Sequence, residues 1–209
     1  MERTIINKVL QYSCICAILF AVIAFHRMDI EFMSFKAVTT CSSIISIIVL
    51  FWTAYFSMLW KWKFFKNILY KENLNGTWFG TYKSRKITDN DEYEGEIVLI
   101  IRQNFLNLNV KSFTESYINY SFGEAMNYDV RSESHRLVYL YSQSEFNPTD
   151  NNIRKGASEL MLLKEFECKK LFGDFWTNHN SKGTLSLERV SQKHYTSFKE
   201  VKSLTKIKE

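Results

Sequence analysis

The residue types that most often carry out chemistry are present in this chain, but they show no catalytic or metal-binding spacing. No phosphate-binding GxxxxGK(S/T) or GxGxxG loop, no HExxH zinc motif and no GxSxG nucleophile elbow occurs. The acidic residues within 89–96 lack the ligand order of a calcium loop. The four histidines also lack the spacing of metal ligands; they are His26, His135, His179 and His194. The sequence therefore predicts a binding module without a metal or cofactor, and not an enzyme.

Composition separates the chain into an apolar first part and a mixed second part. The 209 residues carry a formal net charge of +5 and contain one proline, which excludes a proline-rich or low-complexity chain. Mean hydropathy is −0.20, yet the longest apolar runs lie within the first sixty residues. Three of the four cysteines, Cys14, Cys16 and Cys41, lie in these runs, so they are predicted to be small hydrophobic residues and not a disulfide framework.

Two uncharged stretches near the N-terminus have the length of transmembrane helices. Residues 9–25 and 37–60 carry no charged side chain, and a bilayer core needs roughly 17–25 apolar residues as a helix. A signal peptide is the alternative for the first stretch. No small-x-small cleavage site follows that stretch, however, and a second span does. We therefore predict a transmembrane hairpin within residues 1–60.

The basic residues predict the orientation of this hairpin. Arg3 and Lys8 precede the first span, and four lysines lie within residues 61–71 after the second. The connection between the spans has two basic and two acidic residues. Because loops rich in lysine and arginine stay on the cytoplasmic side, we expect both termini in the cytoplasm.

Small and hydroxyl residues recur along both predicted spans. The first carries Ser13 with three alanines at helical spacing, and the second carries a hydroxyl seam formed by Thr39, Ser43, Ser46, Thr53 and Ser57. Such residues allow transmembrane helices to approach closely. They are consistent with packing inside one hairpin or with self-assembly between hairpins.

The remainder of the chain has the pattern of a small all-β barrel. Apolar and polar residues alternate at 105–113 and at 136–142, which is typical of strands with one buried face. Turn residues occur at 89–91, 147–148 and 181–183. We predict eight antiparallel strands, at 77–84, 96–103, 105–113, 117–125, 136–142, 158–167, 171–179 and 184–190. Closed into a lipocalin-sized barrel, they would enclose a ligand or a packed interior.

Charge also differs between the predicted regions. The barrel, at 74–192, has 14 basic and 16 acidic residues. The linker at 61–73 has four lysines against one glutamate, and the tail at 193–209 has five lysines against two glutamates. The basic excess therefore lies outside the barrel, where it favours anionic lipid headgroups over DNA or RNA.

An ordered series of motifs gives a more specific indication. A Gly-x-Trp on a first strand also occurs in lipocalin-type barrels, and here it would place Trp78 as a plug at one end of the barrel. Here the series is Leu74-x-Gly76-x-Trp78-x-Gly80-x-Tyr82-x-Ser84, Leu137-x-Tyr139-x-Tyr141, then Pro148, Gly156 and Leu160, then Leu171-x-Gly173-x-Phe175-Trp176-Thr177-Asn178 and Gly183. With the two spans before it, this series resembles the two-span, β-strand-rich effectors associated with CD-NTases in bacterial anti-phage signalling (CBASS). The chain departs from that pattern at His179 and Lys155.

The resemblance implies a fold, a ligand and a mechanism. It implies a membrane-anchored all-β protein of the bacterial inner membrane, with a two-helix hairpin followed by an eight-stranded antiparallel barrel. A CD-NTase would make a cyclic dinucleotide, and the cytosolic barrel would bind it. The hairpins would then form a homo-oligomer and disrupt the membrane, so that the infected cell dies.

The chemistry of such a ligand selects candidate binding residues. Phosphates favour arginine or lysine, bases favour aromatic faces, and base edges favour amide and hydroxyl groups. The candidates in the barrel are Trp78, Tyr82, Arg102, Tyr120, Tyr139, Tyr141, Arg154, Thr177, Asn178 and His179.

Two other function classes remain open at this stage. A membrane-tethered carrier of an apolar ligand would need a lumen lined by leucine, isoleucine and phenylalanine. A structural barrel that recruits a partner would have a tightly filled interior.

Overall fold

The structure is a computed structural model that describes residues 3–28, 30, 34–65, 68–86, 92–145, 154–165 and 168–206. The chain forms two compact units, one of residues 1–71 with 104–106 and the other of residues 72–103 with 107–209. The predicted turns at 89–91 and 147–148 lie outside the described residues.

Two long helices make up most of the first unit. Helix α1 spans Arg3–Met28, helix α2 spans Phe35–Ser57, and a 3₁₀ turn follows at Leu59–Lys61. Both helices are long and apolar enough to cross a bilayer. The prediction of two N-terminal apolar helices is therefore confirmed, although α2 ends three residues before the predicted second span.

The small residues of α1 and the hydroxyl seam of α2 face different surroundings. Ser13 of α1 is half-buried, and its Oγ accepts a hydrogen bond from the Trp52 indole of α2 at 2.8 Å. The five seam hydroxyls of α2 are exposed, and each donates to a backbone carbonyl three or four residues earlier. The seam therefore does not pack against α1.

Part of the predicted linker packs within the helical unit. The Tyr55 hydroxyl accepts from the Leu69 backbone N–H at 3.1 Å and donates to the Leu69 carbonyl at 3.0 Å. Phe105 is buried against Tyr55, Phe56 and Trp60. The third strand was predicted to begin at residue 105 but begins at 108, because residues 104–106 belong to this unit.

The second unit is a closed eight-stranded barrel, which confirms the predicted fold class. Every neighbouring pair is antiparallel, and β8 pairs with β1 to close the barrel. The strands are β1 Gly76–Lys86, β2 Glu92–Gln103, β3 Leu108–Phe113, β4 Tyr117–Asp129, β5 Ser134–Glu145, β6 Arg154–Glu165, β7 Cys168–Thr177 and β8 Ser181–Ser191. The predicted turn at 181–183 is wrong: these residues begin β8, and the turn lies at 178–180, where Asn180 takes the left-handed φ of +55°.

The C-terminal segment predicted as a basic tail contains a third helix, α3, at Phe198–Lys206. Phe198 and Val201 lie one turn apart on the same face of α3, where both are buried. They pack against Val98, Ile100 and Phe113 on the outer face of β2 and β3. This cover explains why residues 97–101 are all apolar: one set of side chains points into the barrel and the other points towards α3.

Candidate functional site

A cavity of about 180 Å³ lies at one end of the barrel interior, where β1, β5 and β7 end. We call this the open end. All eight strands contribute to the lining, which is Tyr82, Ser84, Ile97, Ser112, Thr114, Tyr117, Asn119, Tyr139, Tyr141, Gln143, Arg154, Ser158, Phe175, Thr177, His179, Ser181 and Leu185. Strand alternation accounts for this lining, because side chains two residues apart on a strand point into the same interior.

Two tyrosines of the cavity lie across glycines of the neighbouring strands. Tyr82 pairs with Gly95, and a Cβ at Gly95 would lie 2.7 Å from the phenol oxygen. Tyr141 pairs with Gly156, and a Cβ there would lie 2.5 Å from its phenol oxygen. The missing side chains therefore give both rings the space that they occupy.

Burial extends the pH range over which the phenols of the cavity stay protonated. It raises the pKa of Tyr139 to about 12 and also raises the pKa of Tyr141, whose ring centroid lies 5.9 Å from that of Tyr139. Burial likewise raises the pKa of Tyr82, with a further contribution from Tyr117. At neutral pH these side chains offer neutral aromatic faces and hydroxyl donors.

The charges of the lining favour an anionic ligand. Among the described residues that line the cavity, Arg154 is the one permanently charged side chain, and no carboxylate occurs. The Arg154 guanidinium carbon lies 5.7 Å from the centre of the Tyr117 ring. His179 adds an imidazole to the same lining. A guanidinium beside aromatic rings, with no acid in the lining, suits a phosphate attached to a base.

An amide in the cavity wall supplies a hydrogen-bond acceptor. The Asn119 Nδ2 donates to the Ser112 hydroxyl at 2.9 Å. The Asn119 Oδ1 is buried and has no hydrogen-bond partner within the described part of the chain. A ligand N–H donor would satisfy this oxygen, since a buried acceptor without a partner is costly.

The opposite end of the barrel interior, the closed end, is filled. The buried Trp78 ring packs there, and its indole N–H donates to the Leu74 carbonyl at 2.9 Å. The Gln103 side chain accepts from the Leu74 N–H at 2.8 Å and donates to the Glu72 carbonyl at 2.9 Å. These bonds fix the segment that enters β1 across the barrel end.

A buried ion cluster joins the same segment to β6 and β7. The Glu72 carboxylate is almost fully buried; it pairs with Lys164 at 2.9 Å and also with Lys169. Burial lowers the pKa of His135, and the Coulombic attraction of Glu72 opposes this shift. Unlike the open-end lining, this cluster contains a carboxylate, and Glu72 is the acidic partner in both of its ion pairs.

Six of the ten predicted binding residues meet in the cavity, and four do not. Those in the lining are Tyr82, Tyr139, Tyr141, Arg154, Thr177 and His179. Trp78 fills the closed end instead. Arg102 and Tyr120 are exposed and alternate with interior residues, so they lie on the outer face. Asn178 also points away from the lumen, where its Oδ1 accepts from the Lys155 N–H at 2.9 Å.

Sequence reasoning missed most of the polar lining. Ser84, Ser112, Asn119, Gln143 and Ser158 all line the cavity but were not predicted. The sequence did contain a signal, because side chains two residues apart on a strand share a face. Ser84 lies two residues after Tyr82, and Gln143 lies two residues after Tyr141. No group of histidine, cysteine, aspartate and glutamate within the described ranges could hold a metal ion.

Comparison with known families identifies a match. The family model described as Cap15, cyclic dinucleotide receptor domain, matches residues 71–189, which cover all eight strands except the last two residues of β8. A search of the curated proteins finds no match.

Proposed function

The chain belongs to the Cap15 cyclic dinucleotide receptor family, and from this premise we propose that the open-end cavity is where its barrel binds a cyclic dinucleotide. The observation that carries the proposal is the lining itself, with one guanidinium, four tyrosines and no carboxylate among its described residues. This family membership makes the protein a ligand-binding CBASS effector, consistent with the absence of a catalytic motif.

Each kind of lining group has a part in the proposed complex. Arg154 and His179 face the phosphates, because a guanidinium can bind phosphate oxygens in pairs. The half-buried Tyr82 and Tyr117 offer faces on which bases stack, each worth about 1–3 kcal/mol in single-strand binders. Tyr139 and Tyr141 also line the cavity but are almost fully buried. The Asn119 carbonyl and the hydroxyl groups meet the base edges. Thr177 belongs to this polar set.

The cavity suits neither of the two rival functions as well as it suits nucleotide binding. A carrier of apolar ligands needs a lumen of leucine, isoleucine and phenylalanine, whereas most of these lining residues are polar. A partner-recruiting barrel needs a filled interior, which only the closed end provides. Neither rival accounts for the arginine among buried tyrosines.

Binding is proposed to act through the two apolar helices. The exposed hydroxyl seam of α2, at Thr39, Ser43, Ser46, Thr53 and Ser57, is the proposed contact between hairpins in a homo-oligomer. The apolar helices would place the protein in the bacterial inner membrane with both termini in the cytoplasm. Ligand-driven assembly there would disrupt the membrane and kill the infected cell.

The matched pair Arg154 and Arg102 tests the site. We expect Arg154→Ala to weaken binding at least 30-fold, because it removes the one charged guanidinium from the lining. Arg102→Ala removes an exposed arginine from the outer face and should leave affinity within twofold. The measurement is calorimetric titration of the full chain in detergent micelles with a panel of cyclic dinucleotides, together with a melting curve for each variant.

Equal affinity of both variants would reject this site, provided that both melt like the parent protein. Binding by the parent protein of fatty acid, and of no cyclic dinucleotide, would favour the carrier. Replacing Ser43 and Ser46 by leucine tests the seam separately. Undiminished oligomer size and toxicity in that variant would count against it.

A further inference from the structure

An apolar surface covers the outside of four neighbouring strands. Phe122, Leu140, Phe172 and Trp176 on β4, β5 and β7 are each between 45 % and 60 % exposed. Ala157 of β6 pairs with Leu140 on one side and with Trp176 on the other, so the three form a continuous row. We call the surface formed by these five residues the β4–β7 outer surface.

Another apolar part of the barrel exterior is covered by the chain itself. The apolar outer residues of β2 and β3 are buried beneath α3. Within the described ranges, no segment of the chain covers the β4–β7 outer surface, whose large side chains stay exposed. Asp174 lies between Phe172 and Trp176 on the outer face of β7, so the contiguous apolar part of the surface is the Leu140–Ala157–Trp176 row. Exposed apolar patches on a folded domain mark interaction sites.

Charges beside the row make the surface complementary to itself. Lys155 and Glu159 lie on β6 two residues to either side of Ala157, so all three side chains point outward. Arg136 binds both Glu159, at 2.5 Å, and Asp129, at 2.8 Å. One guanidinium shared by two carboxylates leaves this side of the row negative, while Lys155 makes the other side positive.

We propose that the β4–β7 outer surface packs against the same surface of a second copy of this chain. A two-fold axis in the interface, passing along the Leu140–Ala157–Trp176 row, sets the two β6 strands antiparallel. The axis then places Lys155 of each copy opposite Glu159 of the other, and the two apolar rows meet between these pairs. An isologous contact of this kind closes at two copies.

This interface would add a contact between barrels to the proposed self-assembly. Only that role in assembly rests on the proposed function. The surface lies outside the cavity and outside the hydroxyl seam. Pairing of barrels is therefore expected at high protein concentration without nucleotide, and ligand binding and pairing can fail independently.

Leu140→Glu and Trp176→Glu test the apolar row, with Val130→Glu as the matched control. Val130 is an exposed aliphatic residue in the turn after β4, outside the surface. Sedimentation of the full chain in detergent micelles should show a concentration-dependent dimer. The dimer dissociation constant should rise at least tenfold in both row variants and stay within twofold in the control. Melting curves and cyclic dinucleotide titrations accompany each variant, so that loss of fold or of ligand binding is seen separately.

A zero-length cross-link tests the geometry. A carbodiimide joins the Lys155 amine to a Glu159 carboxylate only where the two atoms touch. Within one copy, the Cα atoms of these two residues lie about 13 Å apart along the extended strand. A Lys155–Glu159 amide found in the dimer band and absent from the monomer band is therefore intermolecular. Reversing either charge should reduce this dimer, and the double variant Lys155→Glu with Glu159→Lys should restore its formation. A wild-type protein that stays monomeric at every concentration would overturn the proposal, and so would a dimer unaffected by all of these variants. Binding of the monomer to anionic vesicles through this surface would also overturn it and would indicate a lipid partner.

Discussion

The two ends of the barrel interior differ in chemistry although the same strands build both. At the closed end, Trp78, Leu99, Leu160, Leu171 and Leu187 are completely buried in one cluster. A few residues along the same strands, the open end replaces these side chains with tyrosines, hydroxyls, an amide and a guanidinium around a cavity. The difference indicates that the closed end supplies most of the packing energy, and the open end keeps groups that a stable core would exclude.

The comparison fails if the closed end is not the main source of stability. Trp78→Ala removes the largest fully buried side chain of the barrel, and we expect a loss of about 3–5 kcal/mol in the free energy of unfolding. Chemical denaturation of the full chain in micelles, followed by circular dichroism of the sheet, measures this loss. Ligand affinity, measured well below the melting temperature, should change by less than threefold.

Arg154→Ala is the matching change at the open end. It should lower the free energy of unfolding by less than about 1 kcal/mol, since the side chain lies at the cavity and not in the packed cluster. The two variants should therefore divide stability from binding. A large stability loss in Arg154→Ala with a small one in Trp78→Ala would contradict the division between the ends.

The closed end was more accessible to sequence reasoning than the open end. Alternating residues predicted the strands, and Gly-x-Trp placed Trp78 at one end of the barrel. Arg102 was predicted as a binding residue but lies on the outer face. Residues 97–101 are apolar on both faces of β2, because α3 covers the outer one. Its neighbours therefore gave no sign of which way Arg102 points.

Tyr120 was misplaced for another reason. The pairing of β4 with β5 shifts between Ser121 and Gly123, which is a β-bulge that reverses the alternation. Met126 packs against the interior cluster although Tyr120, six residues earlier, is exposed. A bulge depends on the register of the partner strand, which a single strand sequence does not specify.

Alkaline pH should act on the open end in particular. A phenol in the unfolded chain loses its proton near pH 10, whereas burial raises the pKa of Tyr139 to about 12. The folded protein therefore holds this proton more tightly than the unfolded chain does. The resulting contribution to the free energy of unfolding is complete below pH 10 and is lost as the pH rises from 10 to 12, by up to about 3 kcal/mol. Denaturation at a series of pH values measures the slope, and Tyr139→Phe should flatten it. An equally steep slope in that variant would assign the loss to other groups.

Substitutions at Glu72 and Glu94 compare a buried ion-pair cluster with an exposed ion pair. Glu72→Gln should cost about 2 kcal/mol, because the almost fully buried carboxylate binds two lysines. This is below the cost of breaking a wholly buried pair, since about half of the Lys164 side chain is exposed and can reach water. Glu94→Gln removes an exposed partner of Lys83 and should cost less than about 0.5 kcal/mol. Equal costs measured by denaturation would show that burial does not strengthen the cluster.

Gly95→Ala should change the free energy of unfolding only slightly and still weaken ligand binding. The new Cβ would lie 2.7 Å from the Tyr82 phenol oxygen, and the atoms that it meets are at the free end of that side chain, so the ring can turn away. Because alanine also restricts the unfolded chain, the net cost should stay below about 1 kcal/mol. Affinity for the cyclic dinucleotide should fall about tenfold, as expected for losing one stacked base of about 1–3 kcal/mol.

Gly156→Ala sharpens this result, because a Cβ there would meet the Trp176 carbonyl oxygen at 2.7 Å as well as the Tyr141 ring. Backbone cannot turn away as a side chain does, so this variant should lose more stability than Gly95→Ala in the same denaturation experiment. If both variants keep full affinity while their melting curves shift, the glycines shape the sheet and not the cavity. If Gly95→Ala loses affinity with little change in melting, the space left by one missing Cβ positions Tyr82 for the ligand.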